Sequence, residues 1–467
     1  MNQKLDTLSL RIEQFYSEVF IKLSDKYQGY KYKNVALSEI AIKFYLNQFI
    51  NDTLFFKEIA AVKREADWNI MIQMYVDGFE IKNSFFYRII YIFLDIIRYF
   101  KYLFTKAYNY TVPDYYFFIT NKKFINYTEG IRNELSKKNI SSGLLIWDPN
   151  DVTPTIKMIS NTPKVAFPHF WTKDYFQYRT YVHSVDRVLG YQVLRKARKI
   201  ILVEGSVVVE HIISEVCKSK KIDNDCIQWG FFAKTVTQAG WREMPFDKFI
   251  TWGKFYTDQF KLYNSLEIKA IGHPILEEKI NINTKKTILF AVQKVMGDHL
   301  TEKNIYTFIE FAIRFAISHS DFNVIIRSHP DFIISKSLKD IHKEVKTLIW
   351  HDYQDFSLQG SLEISKYCVS ISSTVTLESL VHGCYPLFLK VNNLPLQLHH
   401  LFNDNEDYKH VVTYNDFDET IFNLEKMSTE DYLDQIKNDF YRTLGSQAIN
   451  QITEEILNND SSALLKQ

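Results

Sequence analysis

The chain is poor in cysteine, nearly neutral in net charge and without a glycine-rich phosphate loop. Its four cysteines, in 467 residues, form no Cys-x-x-Cys pair, so reduced, buried thiols in a cytoplasmic protein are expected. The formal net charge of +1 provides no overall field that would favour nucleic acid as a partner. No G-x-G-x-x-G or Walker motif occurs, which argues against dehydrogenases and P-loop enzymes. No set of His, Cys, Asp and Glu has metal-ligand spacing, so neither a metal nor a cofactor is expected.

The first residues contain no apolar stretch of the signal-peptide type, which again favours the cytoplasm. Residues 1–112 are predicted to form a helical N-terminal region, because apolar side chains recur there at helical spacing. Examples are Leu8, Ile12, Phe15, Val19 and Leu23. No catalytic cluster occurs in this region, so we expect the chemistry to lie further along the chain.

A long apolar stretch at residues 85–104 raises the question of a membrane span. Arg88, Asp95 and Arg98 interrupt it, and ionic groups at mid-membrane are costly. On a helix these three residues fall near one stripe and leave a wide apolar, aromatic face. We therefore predict an amphipathic helix whose apolar face packs against the protein's own core. The alternative is a helix on the inner surface of the cell membrane, flanked by lysines.

From residue 113 onward strands and helices alternate, which is typical of an α/β protein with parallel sheets. Gly272-His273-Pro274 interrupts this series and is interpreted as an interdomain hinge. The prediction is therefore two Rossmann-like lobes, residues 113–274 and 275–467, behind the helical extension. The apolar runs interpreted as strands are 116–120, 143–147, 200–203, 226–229, 249–252 and 268–271 in the first lobe, and 287–292, 322–326, 347–350, 367–371, 386–389 and 410–412 in the second.

The helices predicted between these strands include residues 187–198, which lead into the strand at 200–203. The C-terminal region from residue 429 is also predicted to be helical. In a two-lobed enzyme such a region can cross back to the first lobe.

A polar turn in the second lobe lies between two apolar runs and suggests a ligand site. Ser372, Ser373 and Thr374 follow a strand and precede a helix, so their hydroxyls and backbone N–H groups are available to an anion. Glu378 lies one helical turn beyond Thr374 on the same face. A simple N-terminal cap without a ligand is the alternative for the turn.

A second loop belongs with this turn. Arg327, His329 and Pro330 follow another strand, and the carboxyl ends of parallel strands are where open α/β sheets bind ligands. His329 can donate a hydrogen bond to a phosphate oxygen, and Arg327 adds positive charge. The two loops together predict a pocket for a phosphorylated ligand, with a nucleotide as the favoured choice.

These stretches resemble GT-B glycosyltransferases over about three quarters of the chain. Ile325-Ile326-Arg327-Ser328-His329-Pro330 resembles the His-Pro motif of bacterial surface-polysaccharide enzymes, a group that includes sialyl-, polysialyl- and Kdo transferases. Ile371-Ser372-Ser373-Thr374 with the following Leu377-Glu378 resembles their serine motif, and Val203-Glu204-Gly205 resembles their acidic-glycine motif. The glycerophosphotransferases that use CDP-glycerol are also similar. Two departures are Val203, at the first acidic position, and Trp229, where related sequences often have histidine.

The resemblance implies a role for each candidate residue. Arg327, His329, Pro330, Ser372, Ser373, Thr374 and Glu378 would bind the nucleotide-sugar donor, with Glu378 on the ribose. Glu204 would be the general base that deprotonates the acceptor hydroxyl, because a carboxylate beside Gly205 lets a substrate approach closely. Gln228, Trp229 and Lys234 would line the acceptor side, although core packing explains Trp229 equally well.

The predicted function is metal-independent transfer of a sugar from a nucleotide donor to a glycan or lipid-linked glycan. The favoured donor is a CMP-activated acidic sugar, and the favoured setting is surface or capsular polysaccharide synthesis. The protein is then expected in the cytoplasm, with peripheral association at the inner membrane face as an option. Alternatives are a sugar-nucleotide epimerase of the same fold, a glycerophosphotransferase, or a non-catalytic scaffold that binds a nucleotide.

Overall fold

The computed structural model describes most of the N-terminal helices, both sheets and the C-terminal helix. The described residues are 7–27, 29–49, 53–80, 89–90, 92–97, 113–147, 173–190, 197–230, 239–277, 286–295, 300–390, 411–426 and 439–458. Four helices and a short antiparallel hairpin build the described part of the N-terminal region: α1 (Thr7–Lys26), β1 (Lys31–Tyr32), β2 (Val35–Ala36), α2 (Leu37–Phe49), α3 (Thr53–Ala61) and α4 (Glu65–Gly78).

The first lobe is a parallel sheet with helices between its strands. Its elements in the described residues are β3 (Tyr115–Ile119), α5 (Ile125–Lys137), β4 (Ser142–Ile146), α6 (Lys173–Gly190), β5 (Lys199–Val203), α7 (Val208–Lys220), β6 (Asp223–Ile227), β7 (Lys248–Thr251), α8 (Lys254–Lys261) and β8 (Glu267–Ala270). The strand order is β4-β3-β5-β6-β7-β8, and every pairing is parallel.

The second lobe repeats this plan. Its described elements are β9 (Thr287–Ala291), α9 (Glu302–Ser318), β10 (Asn323–Arg327), α10 (Lys336–Ile341), β11 (Leu348–His351), α11 (Leu358–Glu363), β12 (Tyr367–Ser370), α12 (Val375–Glu378), β13 (Tyr385–Leu389), β14 (Val411–Val412) and α13 (Phe417–Lys426). The order is β11-β10-β9-β12-β13-β14, again with parallel pairings throughout. Each lobe is therefore a Rossmann-like sheet, and the predicted fold of two such lobes behind a helical extension is confirmed.

Helices cover both faces of the first sheet, and its strand sequences show why. Tyr116 and Phe118 of β3 pack into one apolar cluster, while Tyr115, Phe117 and Ile119 pack into another. Side chains alternate between the faces of a strand, so a strand buried on both sides must be apolar throughout. This is the physical reason that continuous apolar runs in the sequence predict these strands.

The expected hinge is clamped by a segment from near the C-terminus. His273 donates its backbone N–H to the Thr443 carbonyl oxygen, and Gly445 donates to the His273 carbonyl oxygen, both at 3.0 Å. Gly272 has φ +153° and lies directly against Thr443, so a side chain there would collide with it. The last helix, α14 (Gly445–Asn458), then packs against α5 of the first lobe. The C-terminal region thus crosses back, as expected; residues 427–438 lie outside the described part. The domain boundaries at 112 and 274 stay predictions.

The helix predicted at residues 187–198 is described only in part. The helix that precedes β5 is α6, and it includes residues 187–190 as predicted. Residues 191–196 lie outside the described part. Residues 197–198 are not helical, so the predicted end of the helix is wrong. The physical reason is a contact with the neighbouring strand segment, since the Arg198 N–H donates to the Asp114 carbonyl oxygen at 2.8 Å.

The packing predicted for residues 85–104 is also wrong in the described part, residues 89–90 and 92–97. Asp95 is buried, whereas Phe93 and Ile97 are exposed. The physical reason is a partner on α6, since the Arg179 guanidinium donates to the Asp95 carboxylate at 2.8 Å. A charged residue becomes inward-facing when it finds a buried counter-ion. In the described residues, no helix has the length and apolar character needed to cross a membrane.

Candidate functional site

Both lobes carry their candidate residues where the strand order reverses. In the first sheet the chain passes from β3 to β4 on one side and then to β5 on the other, so the crevice lies between β3 and β5. In the second sheet the same reversal occurs between β9 and β12. Ligands of open α/β sheets bind at the carboxyl ends of the strands beside such a point. Glu204 follows β5, and Ser372 follows β12 after Ile371.

Glu204 has an unusual backbone. Its φ is +114°, a backbone conformation that residues other than glycine rarely adopt. The next residue, Gly205, has φ +90°. The Glu204 N–H donates to the Ile227 carbonyl oxygen at 3.0 Å, which holds the turn against β6. Backbone strain of this kind costs about 1–3 kcal/mol and concentrates at functional sites. The turn therefore holds Glu204 at the end of β5 at an energetic cost.

The environment of Glu204 suits a base. Burial raises the pKa of the Glu204 carboxyl, while the charge of Lys123 and a hydrogen bond from Ser206 oppose that rise. The Ser206 hydroxyl lies 3.2 Å from Oε1 of Glu204. Lys123 follows β3, so it lies on the other side of the same crevice. A carboxylate whose pKa moves toward neutrality accepts a proton more readily at pH 7.

Two residues that the sequence analysis missed hold this turn from behind. Glu210 accepts the N–H groups of Gly205 at 2.7 Å and Val207 at 3.3 Å through Oε2. Nε2 of His211 lies 3.1 Å from the Gly205 carbonyl oxygen and 3.0 Å from that of Gly240. Both carbonyls only accept, so Nε2 carries the proton, and burial lowers the pKa of His211 well below its usual value. The position of Glu210 three residues after the helix cap was the available signal in the sequence.

The candidate acceptor-side residues differ in their surroundings. Gln228 is fully buried; its Oε1 accepts the Trp252 N–H at 3.1 Å and its Nε2 donates to the Gly230 carbonyl at 2.9 Å. This amide therefore holds the ends of β6 and β7 together. Trp229 is half-buried, and the Lys123 ammonium lies 5.5 Å from its ring centroid. The aromatic neighbours of Trp229 are Phe124 at 4.6 Å and Tyr127 at 4.9 Å, between centroids.

Trp229 and Lys123 are thus brought together beside the Glu204 crevice. Lys234 lies outside the described residues. The acceptor-side roles stay predictions.

His329 is arranged as a hydrogen-bond donor. Its Nδ1 accepts the backbone N–H of Asp331 at 2.9 Å, which leaves the ring proton on Nε2. Burial lowers the pKa of His329, and one third of its side chain is exposed. A neutral imidazole with an outward N–H can donate to a phosphate oxygen. Pro330 is exposed within the tight turn that the Phe332 N–H closes on the His329 carbonyl at 3.0 Å.

Arg327 has a second role beside the predicted one. It is buried, and its Nη1 donates to the Phe356 carbonyl oxygen at 2.7 Å. This bond ties the end of β10 to the loop that follows β11. One guanidinium N–H is therefore used inside the lobe, and its predicted contact with a phosphate stays a prediction.

A glutamine that the sequence analysis missed organises the serine turn. Gln293, two residues after β9, accepts the N–H groups of Ser372 at 2.7 Å and Ile371 at 3.1 Å through Oε1. Its Nε2 donates to the Ser372 hydroxyl oxygen at 3.2 Å. The Ser373 N–H donates to the Ser370 hydroxyl oxygen at 3.0 Å. Two of the N–H groups expected to face an anion are thus occupied, and the exposed Ser372 hydroxyl remains at the surface of the turn.

The helix after the turn is short. The α-helical part, α12, covers Val375–Glu378 and continues as a 3-10 turn, Ser379–His382. The Val375 N–H donates to the Ser373 hydroxyl at 3.3 Å, so Ser373 is the residue of the turn whose side chain caps the helix. The helix dipole contributes less here than a long helix would.

Glu378 lies where the two lobes meet. Burial raises the pKa of the Glu378 carboxyl, and a hydrogen bond with Thr374 partly offsets the rise. Burial also raises the pKa values of Tyr256 and Tyr441, and the nearby charge of Glu378 adds to both. Tyr256 belongs to the first lobe and Tyr441 to the crossing segment. The carboxylate of the second lobe therefore faces the first lobe, on the side of the hinge.

No group of three or more His, Cys, Asp and Glu side chains within the described residues has the geometry of a metal site.

No protein-family model and no curated protein matches the chain. Solved structures do resemble it. CalG4, the calicheamicin glycosyltransferase, aligns with 75% of this chain and 100% of its own, at 10% identity and a TM-score of 0.46. The UDP-GlcNAc 2-epimerase from Neisseria meningitidis bound to UDP-GlcNAc aligns with 74% of this chain and 100% of its own, at 13% identity and a TM-score of 0.47.

The UDP-GlcNAc 2-epimerase from Methanocaldococcus jannaschii, in complex with UDP-GlcNAc and UDP, aligns with 74% of this chain and 99% of its own, at 11% identity and a TM-score of 0.44. The strand orders of the two parallel sheets, rather than these similarities, establish the fold of the chain.

Proposed function

We propose that the protein is a glycosyltransferase that moves a sugar from a nucleotide donor to a glycan acceptor. The observation that carries this proposal is Glu204, a half-buried carboxylate in a strained backbone conformation at the reversal point of the first sheet. A general base at this position is needed if a second substrate, the acceptor, loses a proton in the reaction. The serine turn and His329 of the second lobe supply hydrogen-bond donors for the phosphates of the donor.

The proposed reaction is a single displacement at the anomeric carbon of the donor sugar. It needs no reactant besides the donor and the acceptor. Glu204 accepts the proton of an acceptor hydroxyl as the acceptor oxygen bonds to the anomeric carbon of the donor sugar. The bond between that carbon and the phosphate oxygen breaks at the same time, and the negative charge passes to the departing nucleotide. The His329 Nε2–H and the Ser372 hydroxyl stabilise this charge. Glu378, near the lobe junction, accepts hydrogen bonds from the ribose hydroxyls.

The finer parts of the proposal depend on the resemblance of the short motifs. We propose a CMP-activated acidic sugar as donor and a glycan or lipid-linked glycan as acceptor. Surface or capsular polysaccharide synthesis at the inner face of the cell membrane is the proposed setting. We further propose that the transfer needs no metal, as the resemblance implies.

Donor binding can be tested by melting the purified protein with CMP, CDP, UDP, GDP and their sugars. A nucleotide at 100 times its dissociation constant stabilises the folded protein by about 2.7 kcal/mol, which a melting curve detects. The shift should be lost in His329→Ala and kept in His342→Ala, a matched histidine change elsewhere in the second lobe. If no nucleotide raises the melting temperature, the proposed donor site is wrong.

Transfer itself needs a separate assay. Glu204→Gln should retain the nucleotide-dependent shift and lose transfer to a glycan acceptor, because the amide cannot accept the proton. Conversion of the donor sugar without any acceptor would identify an epimerase instead. A protein that binds a nucleotide but catalyses neither transfer nor epimerisation would be a scaffold. Glu204→Gln would then leave the nucleotide-dependent shift unchanged.

A further inference from the structure

A cavity of about 340 Å³ lies between the N-terminal helices and the first lobe. Helices α1, α2 and α7 form its walls together with β2 and the loop before β7. Cavities that bind small molecules have volumes of about 300–1,000 Å³, so this one has room for a single small ligand. It lies behind the turn of Glu204, because His211 both lines the cavity and contacts the Gly205 carbonyl oxygen.

Lys43 places an amine in the wall of this cavity. Burial lowers the pKa of Lys43 to about 8, so the amine is mostly charged at pH 7. The residue is 5% exposed, and its ammonium donates one hydrogen bond, to the Glu243 carbonyl oxygen at 2.9 Å. An ammonium has three N–H donors, so two of them have no acceptor among the residues that the structure describes. Unpaired donors of a buried charge are destabilising, which favours an occupant that accepts hydrogen bonds.

Two further polar atoms of the wall lack a partner within the described ranges. The Ser24 hydroxyl is buried and forms no hydrogen bond there. His211 uses the proton on Nε2 for the carbonyl oxygens of Gly205 and Gly240, so Nδ1 is an acceptor with no donor beside it. The wall therefore offers free donors on one residue, a free acceptor on another and a hydroxyl that can serve as either.

The charges of the wall decide the class of ligand. Glu39, Glu215 and Glu243 line the cavity with Lys43, which makes three carboxylates against one ammonium. The three carboxylates oppose the effect of burial on the pKa of Lys43, so they lie near its ammonium. An anion is disfavoured by the carboxylates, and a cation by the ammonium. A neutral ligand rich in hydroxyl groups fits, because a hydroxyl can accept from Lys43 and donate to a carboxylate or to Nδ1 of His211.

Apolar side chains form much of the remaining wall. They include Phe20, Ile40, Ile42 and Pro245. A sugar ring has apolar C–H faces and a periphery of hydroxyl groups. It therefore matches a wall that combines apolar side chains with a few hydrogen-bonding groups, as small-molecule sites generally do.

We propose that this cavity binds one neutral monosaccharide. The sugar accepts hydrogen bonds from Lys43 and donates hydrogen bonds to the carboxylates and to Nδ1 of His211. Because Nε2 of His211 bonds to the Gly205 carbonyl oxygen, a bound sugar also steadies the turn that carries Glu204. The cavity is separate from the donor loops of the second lobe, so the proposal does not depend on the reaction proposed above.

The experiment is calorimetric titration of the full chain with glucose, galactose and N-acetylglucosamine, and with glucuronic and galacturonic acid. At least one neutral sugar should bind, and the uronic acids should bind more weakly because they carry a negative charge. Lys43→Met should lower the affinity about tenfold or more, since hydrogen bonds from a charged donor are strong. This change removes a buried charge, so the variant should stay folded.

Two other variants complete the titration. Ala36 also lines the cavity, so Ala36→Leu should fill it and abolish binding without removing a polar group. Lys366→Met is the matched control, because Lys366 is a second buried lysine, 9% exposed, that lies in the second lobe. It should bind the sugar as the unchanged protein does.

Hydrogen exchange locates the bound sugar. Slower exchange should appear in α2 and in residues 204–211, whereas protection confined to the second lobe would overturn the proposal. The proposal also fails if no neutral sugar binds, if the uronic acids bind as tightly, or if Lys43→Met leaves the affinity unchanged. Each cavity variant should keep its nucleotide-dependent melting shift, so a failure here is distinct from a failure of the proposed donor site.

Discussion

The backbone of Glu204 permits a prediction about the stability of two variants, Glu204→Gly and Glu204→Ala. At an ordinary position glycine is less stable than alanine by about 0.5–1 kcal/mol, because it loses more freedom on folding. At φ +114° the order should reverse, since alanine retains a strain of about 1–3 kcal/mol that glycine relieves. Subtracting the entropic term from the strain leaves Glu204→Gly more stable than Glu204→Ala by up to about 2.5 kcal/mol.

Comparing the two variants with each other removes the effects that they share. Both lose the hydrogen bond with Ser206 and the buried carboxylate, so their difference reports the backbone alone. Urea unfolding followed by tryptophan fluorescence measures it, and Trp241 and Trp252 are buried reporters in the first lobe. Both variants should lose transfer completely under the proposed function. If Glu204 served only to stabilise the fold, its backbone would not be strained and its replacement would not abolish transfer.

The control is Glu310, an exposed residue in the middle of α9. There Glu310→Gly should be less stable than Glu310→Ala by about 1 kcal/mol, the usual penalty for glycine in a helix interior. If Glu204→Gly is less stable than Glu204→Ala by the roughly 0.5–1 kcal/mol of an ordinary position, the turn is not strained. The reasoning that links Glu204 to function through its backbone is then refuted.

Three further predictions follow from other contacts. Burial raises the pKa of the Glu204 carboxyl, and the charge of Lys123 opposes the rise. The acid limb of the pH profile of kcat/KM should therefore lie above pH 4.5 and move to higher pH in Lys123→Ala. An acid limb that does not move in Lys123→Ala would exclude Glu204 as the base. Burial lowers the pKa of Lys43 from 10.5 to about 8, so the folded protein loses stability as the pH falls from 10.5 to about 8. At pH 7 Lys43→Met should therefore be more stable than the unchanged protein by roughly 1–2 kcal/mol, a figure that allows for the lost hydrogen bond to the Glu243 carbonyl oxygen. This gain should vanish above pH 10.5. Urea unfolding at pH 7 and above pH 10.5 tests both statements. Gln293→Ala should cost about 1–3 kcal/mol and weaken nucleotide binding, whereas Gln293→Glu, which keeps the acceptor oxygens, should recover most of the stability in the same melts.

The strands of both lobes were predictable because their signal is local. Residues 200–203 of β5 and 367–369 of β12 are apolar at every position, and polar residues bound both runs. The loops after β10 and β12 could be identified as candidate sites for the same reason, since polar residues directly follow apolar strands. Helix ends were less predictable: residues 197–198, the predicted end of the helix before β5, are not helical.

Other features depend on residues that are distant in the sequence. Gln293 reaches the serine turn because β9 and β12 are neighbours in the sheet, although 79 positions separate Gln293 from Ser372. The positive φ of Glu204 arises where its turn is held by β6 and by Glu210. Neither contact has a periodic signature, so the sequence contains no pattern that would predict it.

Residues 89–97 show the same division most clearly. The stripe containing Asp95 and the apolar face opposite it follow from helical spacing alone. Which of the two faces solvent depended on Arg179, 84 positions further along the chain, because a buried carboxylate is tolerated only where a counter-ion meets it. Local periodicity therefore determines which residues share a face, and the tertiary contacts of a few charged side chains decide where that face points.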